Sequence, residues 1–151
     1  MLPVKSVLAS NAVLRPAAGE YPLLLPDNST LINLSAGHAY ELEPGVTLTV
    51  IGESTEKTAF ALEYGKFRLI IPAGVDYADL KEHDPDLLQG ADLLVLSPLD
   101  TSYIPPRLWI QLEPAAILWN SLELSPFDSA FTTESGNNFS LSTDGTSVWT
   151  K

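Results

Sequence analysis

The chain has 151 residues, of which 45% are hydrophobic and 18% are charged; this composition is typical of a globular domain and excludes a disordered chain. The formal net charge is −11, from 19 acidic and 8 basic residues, so we expect no binding to nucleic-acid phosphates or to an anionic membrane surface. Cysteine is absent, which excludes disulfides, thiolate zinc sites and a cysteine nucleophile.

The apolar runs are short, and none approaches the roughly 20 residues that cross a bilayer. The opening MLPVKSVLAS lacks the basic segment and apolar core of a signal peptide. No linker, repeat or low-complexity tract divides the sequence. We therefore predict a single domain, residues 1–151, that makes no membrane contact of its own.

In chain order, the first half has mainly β-strand signals. VKSVLAS (4–10) and STLINLSAG (29–37) predict two strands. The acidic ELEPG (41–45) predicts a solvated loop, and the alternation in EPGVTLTVIG (43–52) predicts a half-buried strand after a Pro-Gly turn. TAFALEYG and KFRLIIP (58–72) predict a hairpin that turns at Tyr64-Gly65-Lys66.

The second half predicts alternating helices and strands. YADLKEHDPDLLQ (77–89) predicts a short acidic helix, and the apolar ADLLVLS (91–97) a central strand covered on both faces that runs into a polar loop. PPRLWIQLEP (105–114) predicts a helix opened by prolines, and AAILWN (115–120) a buried strand. The tail predicts a strand, a turn and a hairpin with Asp144-Gly145 as a two-residue connection.

This order of elements predicts an α/β fold in which helices pack on a mixed β-sheet. Trp109, Trp119 and Trp149 are predicted in the core or on a sheet face. An exposed aromatic platform for single-stranded nucleic acid would have basic neighbours, and the basic residues are scattered singly along the chain.

Several blocks together resemble the second half of a metallo-β-lactamase-fold domain, in particular the one attached to the DNA-uptake channel protein ComEC of bacterial competence. The blocks are GVTLTVIG, FALEYGKFRLIIPAG, GADLLVLSPLDTS, LEPAAILWN and TTESGNNFSLSTDG, and they cover roughly residues 37–151. The resemblance implies half of an αββα sandwich, a bacterial membrane-associated parent and an extracytoplasmic location.

The residues that bind metal in that family are replaced here. The family motif Pro-His-His-Gly-Ser falls on residues 97–101, so Pro98 and Leu99 stand where the resemblance implies histidines. The motif Thr-Gly-Asp falls on residues 72–74, so Gly74 stands where it implies a metal-binding aspartate. The motif His-x-His-x-Asp-His does not occur in the chain. We therefore predict no catalytic, cofactor-binding or metal-binding residues and no cofactor.

Other residues give weaker signals for chemistry. Asp79 and His83 are four positions apart in the predicted acidic helix and could share a face, while His38 lies beside a glycine and is predicted to be a loop hydrogen-bonder. Ser97 and Ser102 lack a base for a nucleophilic triad. Asp100 could act as a general base only with a perturbed pKa.

The first hypothesis is a non-catalytic, metal-free relative of the ComEC-type domain that acts as a structural or interaction module, with a role in competence implied by the resemblance. Half of a sandwich leaves one sheet face to be covered, so we expect a homodimer or another protein domain on that face. The alternative is a divergent metal-dependent hydrolase of the phosphodiesterase or nuclease type that uses Asp76, Asp79 and His83. A third hypothesis, a nucleic-acid-binding module, is disfavoured by the net charge.

Overall fold

The computed structural model of the chain describes residues 6–10, 30–54, 57–76, 78–80, 90–121, 123–128, 131–132 and 141–150. Its first two strands, β1 (Ser6–Ser10) and β2 (Thr30–Leu34), pair in parallel as a sheet of their own. Both strands confirm the predictions for residues 4–10 and 29–37.

The next four strands form an antiparallel meander: β3 (Ala39–Glu43), β4 (Val46–Glu53), β5 (Thr58–Tyr64) and β6 (Phe67–Ile71). The strand at β4 and the β5–β6 hairpin were predicted and are confirmed. The prediction of a loop at residues 41–43 is wrong, because Glu41 and Glu43 belong to β3. Among the described strands it pairs with β4 alone, at the edge of the sheet, and an edge strand tolerates exposed acidic side chains.

The parallel half of the sheet comprises β7 (Leu93–Leu96), β8 (Ala116–Trp119) and β9 (Phe131–Thr132), with β7 paired to β6. Within the described residues, this sheet has seven strands in the order β3-β4-β5-β6-β7-β8-β9. Two helices, α1 (Pro98–Tyr103) and α2 (Pro106–Gln111), connect β7 to β8. The predicted mixed sheet with packed helices is therefore confirmed as a mixed α/β fold.

The prediction of a polar loop after β7 is wrong, because this segment forms helix α1. Ser97 is the residue that caps the helix, Pro98 is its first residue and Asp100 lies in its first turn. Proline at the first helical position and an acidic residue in the first turn both favour a helix start. The predicted acidic helix at 77–89 lies mostly outside the described residues, of which 78–80 are helical.

The C-terminal hairpin consists of β10 (Leu141–Thr143) and β11 (Val148–Thr150), as predicted, but its connection has four residues and not two. Thr143 pairs with Val148, so the connection is 144–147. The Oδ1 atom of Asp144 accepts hydrogen bonds from the backbone N–H groups of Thr146 and Ser147 and from the Thr146 hydroxyl. An aspartate that bonds to the following N–H groups stabilises a longer turn.

These contacts predict an acid-sensitive turn. The backbone hydrogen bond from Thr146, followed by that from Ser147, lowers the pKa of Asp144 from its usual 3.8. Because the pKa is lower in the folded chain, the stabilisation is present above the unfolded pKa and is lost as the pH falls through the folded one. An NMR titration of this carboxyl group should give a pKa below 3.8, and Thr146→Val should raise it part of the way back. A pKa at or above the usual value would contradict the hydrogen-bond geometry.

One face of the large sheet forms the core with the two helices. Ala61, Ile70 and Leu94 are buried on this face, and Trp109 of α2 is fully buried against it. Leu96, Ile117 and Trp119 continue the face across β7 and β8, so two of the three predicted tryptophans lie in the core; Trp149 lies on β11 and is 51% exposed. Within the described ranges, no helix is long and apolar enough to cross a membrane.

The opposite face of the large sheet is also apolar, and we call it the second sheet face. Leu48, Leu62 and Leu69 stand side by side across β4, β5 and β6 in register, and Phe60 pairs with Ile71. These five side chains are half-buried, whereas Val50, Phe67 and Leu93 on the same face are buried, so the chain itself covers part of this face. The same face continues through two further half-buried side chains, Val95 and Leu118.

Candidate functional site

The parallel strands β6 and β7 end at the same edge of the sheet, where ligand sites of α/β folds are usually found. Residues 72–76 follow β6, and Ser97 with helix α1 follows β7. This is also the edge where the resemblance to a metallo-β-lactamase-fold domain implies metal ligands. We call it the β6–β7 edge.

The segment after β6 is a tight turn with an unusual backbone. The N–H of Val75 donates to the carbonyl of Pro72, and the two residues between them have positive φ angles, 52° at Ala73 and 71° at Gly74. Positive φ at both central positions defines the type I′ family of turns. Glycine adopts a positive φ without steric cost. The turn directs the Gly74 N–H into the protein, where it needs a partner.

That partner is the carboxylate of Asp100, a buried residue that is only 2% exposed. Its Oδ1 accepts from the Gly74 N–H at 2.7 Å, and its Oδ2 accepts from both the N–H and the hydroxyl of Ser97, each at 2.7 Å. These short bonds to a charged acceptor are of the strong class. Asp100 therefore joins the two loops of the edge, and we call this arrangement the Asp100 clamp.

Lys57 closes the same edge from the segment before β5. Its ammonium nitrogen donates to the Gly74 carbonyl at 2.8 Å and lies 4.0 Å from the centroid of the Tyr103 ring. A cation at that distance over an aromatic face is attracted by the ring. A Cβ atom added at Gly74 would lie 3.1 Å from the Leu99 Cβ and 3.5 Å from the Lys57 ammonium nitrogen, so the cluster leaves little free space there.

The geometry does not favour acid–base or nucleophilic chemistry at this edge. Both oxygens of the Asp100 carboxylate are engaged by protein donors, so neither is directed at a substrate proton. The Ser97 hydroxyl donates to a carboxylate rather than to an imidazole, and the Ser102 hydroxyl donates to the Pro98 carbonyl at 2.9 Å. The interpretation of both serines as non-catalytic is consistent with these bonds.

The side chains at this edge do not fit a metal centre. Gly74, Pro98 and Leu99, which stand where the resemblance implies ligands, carry no ligand atom on their side chains. The carboxylate beside them, that of Asp100, already accepts three hydrogen bonds. Across the part of the chain that the structure describes, no three His, Asp or Glu side chains come together as a set that could hold a metal ion.

The other candidate residues lie elsewhere. His38 takes part in a loop through its backbone: its N–H donates to Ser35 at 3.2 Å and its carbonyl accepts from Val50 at 3.0 Å, in agreement with the predicted loop role. The Asp76 carboxylate accepts from the Ala78 N–H at 2.8 Å. Asp79 is half-buried, and His83 lies outside the described residues, so the Asp79–His83 pairing stays a prediction.

Sequence reasoning missed Lys57 and Tyr103 as members of the β6–β7 edge. Lys57 is 17 residues away from Gly74 along the chain, and no local pattern connects them. The Ser97–Asp100 pair did carry a signal, because Ser followed three positions later by an acidic residue marks a helix start. This pattern is typical of a helix cap and not of a site of chemistry, and the prediction of a polar loop did not use it.

The sequence matches no protein-family model and no curated protein. The Asp100 clamp and the two apolar faces of the sheet are therefore the features of the molecule that bear on its function.

Proposed function

We propose that the chain is a non-catalytic, metal-free structural or interaction module related to the second half of a ComEC-type metallo-β-lactamase-fold domain. The observation that carries this proposal is the second sheet face. Antiparallel sheets that face water on one side carry polar residues there, whereas this face carries the in-register row Leu48, Leu62 and Leu69. Such a face is stabilised when another protein surface covers it.

The Asp100 clamp supports the non-catalytic part of the proposal. In a hydrolytic metal centre, the carboxylates at this edge would converge on the ion from several loops. Here the carboxylate accepts hydrogen bonds from Gly74 and Ser97 instead, which joins the two loops of the edge. The proposed role in bacterial competence rests on the resemblance alone.

Metal analysis of the purified protein tests the metal-free part of the proposal. We expect no zinc or manganese near stoichiometry by inductively coupled plasma mass spectrometry, before and after equilibration with either ion, because the family ligand positions lack donor atoms. Binding of about one ion per chain that is lost in Asp79→Ala with His83→Ala would instead support the alternative, a divergent metal-dependent hydrolase.

Substitution of Leu69, at the centre of the second sheet face, tests whether another protein surface covers that face. In a homodimer, the wild-type chain should sediment as a dimer whose stability rises with protein concentration, and Leu69→Gln should dissociate it. If another protein covers the face, the isolated chain should be a monomer that binds an apolar dye, and Leu69→Gln should reduce the binding. Leu124→Gln is the matched control, because Leu124 is 95% exposed and lies outside the sheet. A monomer that binds no dye would contradict the proposal.

A further inference from the structure

A cavity opens between the end of α2 and the start of β8, away from the β6–β7 edge. Its volume is about 490 Å³, within the range of roughly 300–1,000 Å³ in which small-molecule pockets fall. Ile117 and Phe127, which are 7% and 5% exposed, form its buried part, together with the half-buried Ala116. Ile110, which is 57% exposed, lies at its mouth.

Two charged residues line the cavity within the described part of the chain, and both are acidic. Glu113 and Asp128 are exposed residues at its rim, on the segments that precede and follow β8. Among the residues that the structure describes, no lysine, arginine or histidine lines the cavity. The rim and the net charge of −11 both favour a ligand of positive charge.

Local contacts hold both walls of the cavity. At one wall, the N–H of Glu113 donates to the Ile110 carbonyl at 3.0 Å and φ is +50°, so the helix ends abruptly there. At the other, the Phe127 ring meets Trp119 edge to face with centroids 6.0 Å apart, and the Phe127 N–H donates to the Ser125 hydroxyl at 3.0 Å. Walls that are fixed before binding lose little entropy when a ligand enters.

We propose that this cavity binds a small organic cation: a ligand with an apolar body for the surface of Ile117 and Phe127 and an ammonium or amidinium group for the two rim carboxylates. This inference is independent of the proposed interaction module, because the cavity does not include the β6–β7 edge or the row Leu48, Leu62 and Leu69.

The test compares benzamidine with benzamide, which has the same shape and no charge. For a ligand of this size we expect benzamidine to bind with a Kd on the order of 10 mM. Binding is measured by NMR, from the chemical shifts of the Ile117 methyl groups and the Phe127 ring. Benzamide should bind about three-fold more weakly or worse, since partly exposed charge pairs contribute factors of that size. Salt should weaken benzamidine binding and leave benzamide unaffected.

Variants at the rim test whether its two carboxylates cause the preference for benzamidine over benzamide. Glu113→Gln with Asp128→Asn should reduce the affinity for benzamidine to that for benzamide, while Glu41→Gln on the distant strand β3 is the matched control for general surface charge. The proposal is overturned if benzamide binds as tightly as benzamidine, if Glu41→Gln weakens binding as much as the rim variants do, or if Ile117 and Phe127 show no shift at several times the expected Kd.

Discussion

We expect Asp100→Ala to lower the free energy of unfolding by about 3 kcal/mol, measured by urea denaturation. Removing the carboxylate leaves the buried Gly74 N–H without an acceptor, which costs about 1–3 kcal/mol. The N–H and hydroxyl of half-buried Ser97 also lose their acceptor, although water can replace part of that contribution. The acidic residue in the first turn of α1 adds a further few tenths of a kcal/mol.

The direction of this change distinguishes a structural carboxylate from a functional one. Residues kept for activity often reduce stability, so their replacement can stabilise a protein. A clamp that satisfies buried donors does the opposite. Asp100→Asn should lie between wild type and Asp100→Ala, because its amide oxygen can still accept from Gly74, whereas its amide group presents donors towards Ser97.

Asp128→Ala is the matched control, because Asp128 is exposed and substitutions at such positions are usually within about 0.5 kcal/mol of neutral. Hydrogen exchange at Gly74 should become faster in Asp100→Ala and remain unchanged in the control. An Asp100→Ala protein as stable as wild type, or more stable, would show that the clamp does not hold the β6–β7 edge together. Catalytic hypotheses for Asp100 would then need to be reconsidered.

The parts of the fold that the sequence predicted correctly are those whose signals are local. The run Leu93–Leu96 is apolar because β7 has buried side chains on both sheet faces, and the alternation in β4 marks a strand whose faces differ. The β5–β6 hairpin is marked by a glycine, Gly65, at a positive φ of 60°. In each case the residue types that the position requires are adjacent in the chain.

The parts that could not be predicted depend on contacts distant in sequence or on competing signals. Strand β3 carries Glu41 and Glu43, and its acidic pattern is typical of a loop; pairing with β4 decides its conformation. Helix α1 has only six residues, too few for a periodic pattern to be visible, so its local signal was the helix start at Ser97 and Asp100, which competed with the polar character of the segment. The Asp100 clamp joins residues 26 apart, so nothing in either segment alone indicates that Gly74 and Asp100 meet.

The second large effect is expected at Gly65, in the turn between β5 and β6. A Cβ atom at this position would lie 2.6 Å from the backbone carbonyl oxygen of Gly145 in the C-terminal hairpin. That same oxygen accepts the N–H groups of Lys66 and Phe67. Gly65→Ala should therefore cost about 3 kcal/mol, since the close approach adds to the roughly 1–2 kcal/mol of a left-handed alanine.

Gly37→Ala is the matched control for the backbone strain, because Gly37 also has a positive φ, of 79°, and an added Cβ would meet nothing within 4 Å. It should cost about 1 kcal/mol, and the difference between the two variants measures the contact between the turns. Relief of the clash requires the hairpin to move away, so hydrogen exchange at Lys66 and Phe67 should accelerate only in Gly65→Ala. Equal losses of stability in both variants would mean that the turn at Gly145 contributes nothing to holding the β5–β6 turn, and that the C-terminal hairpin is attached by other contacts.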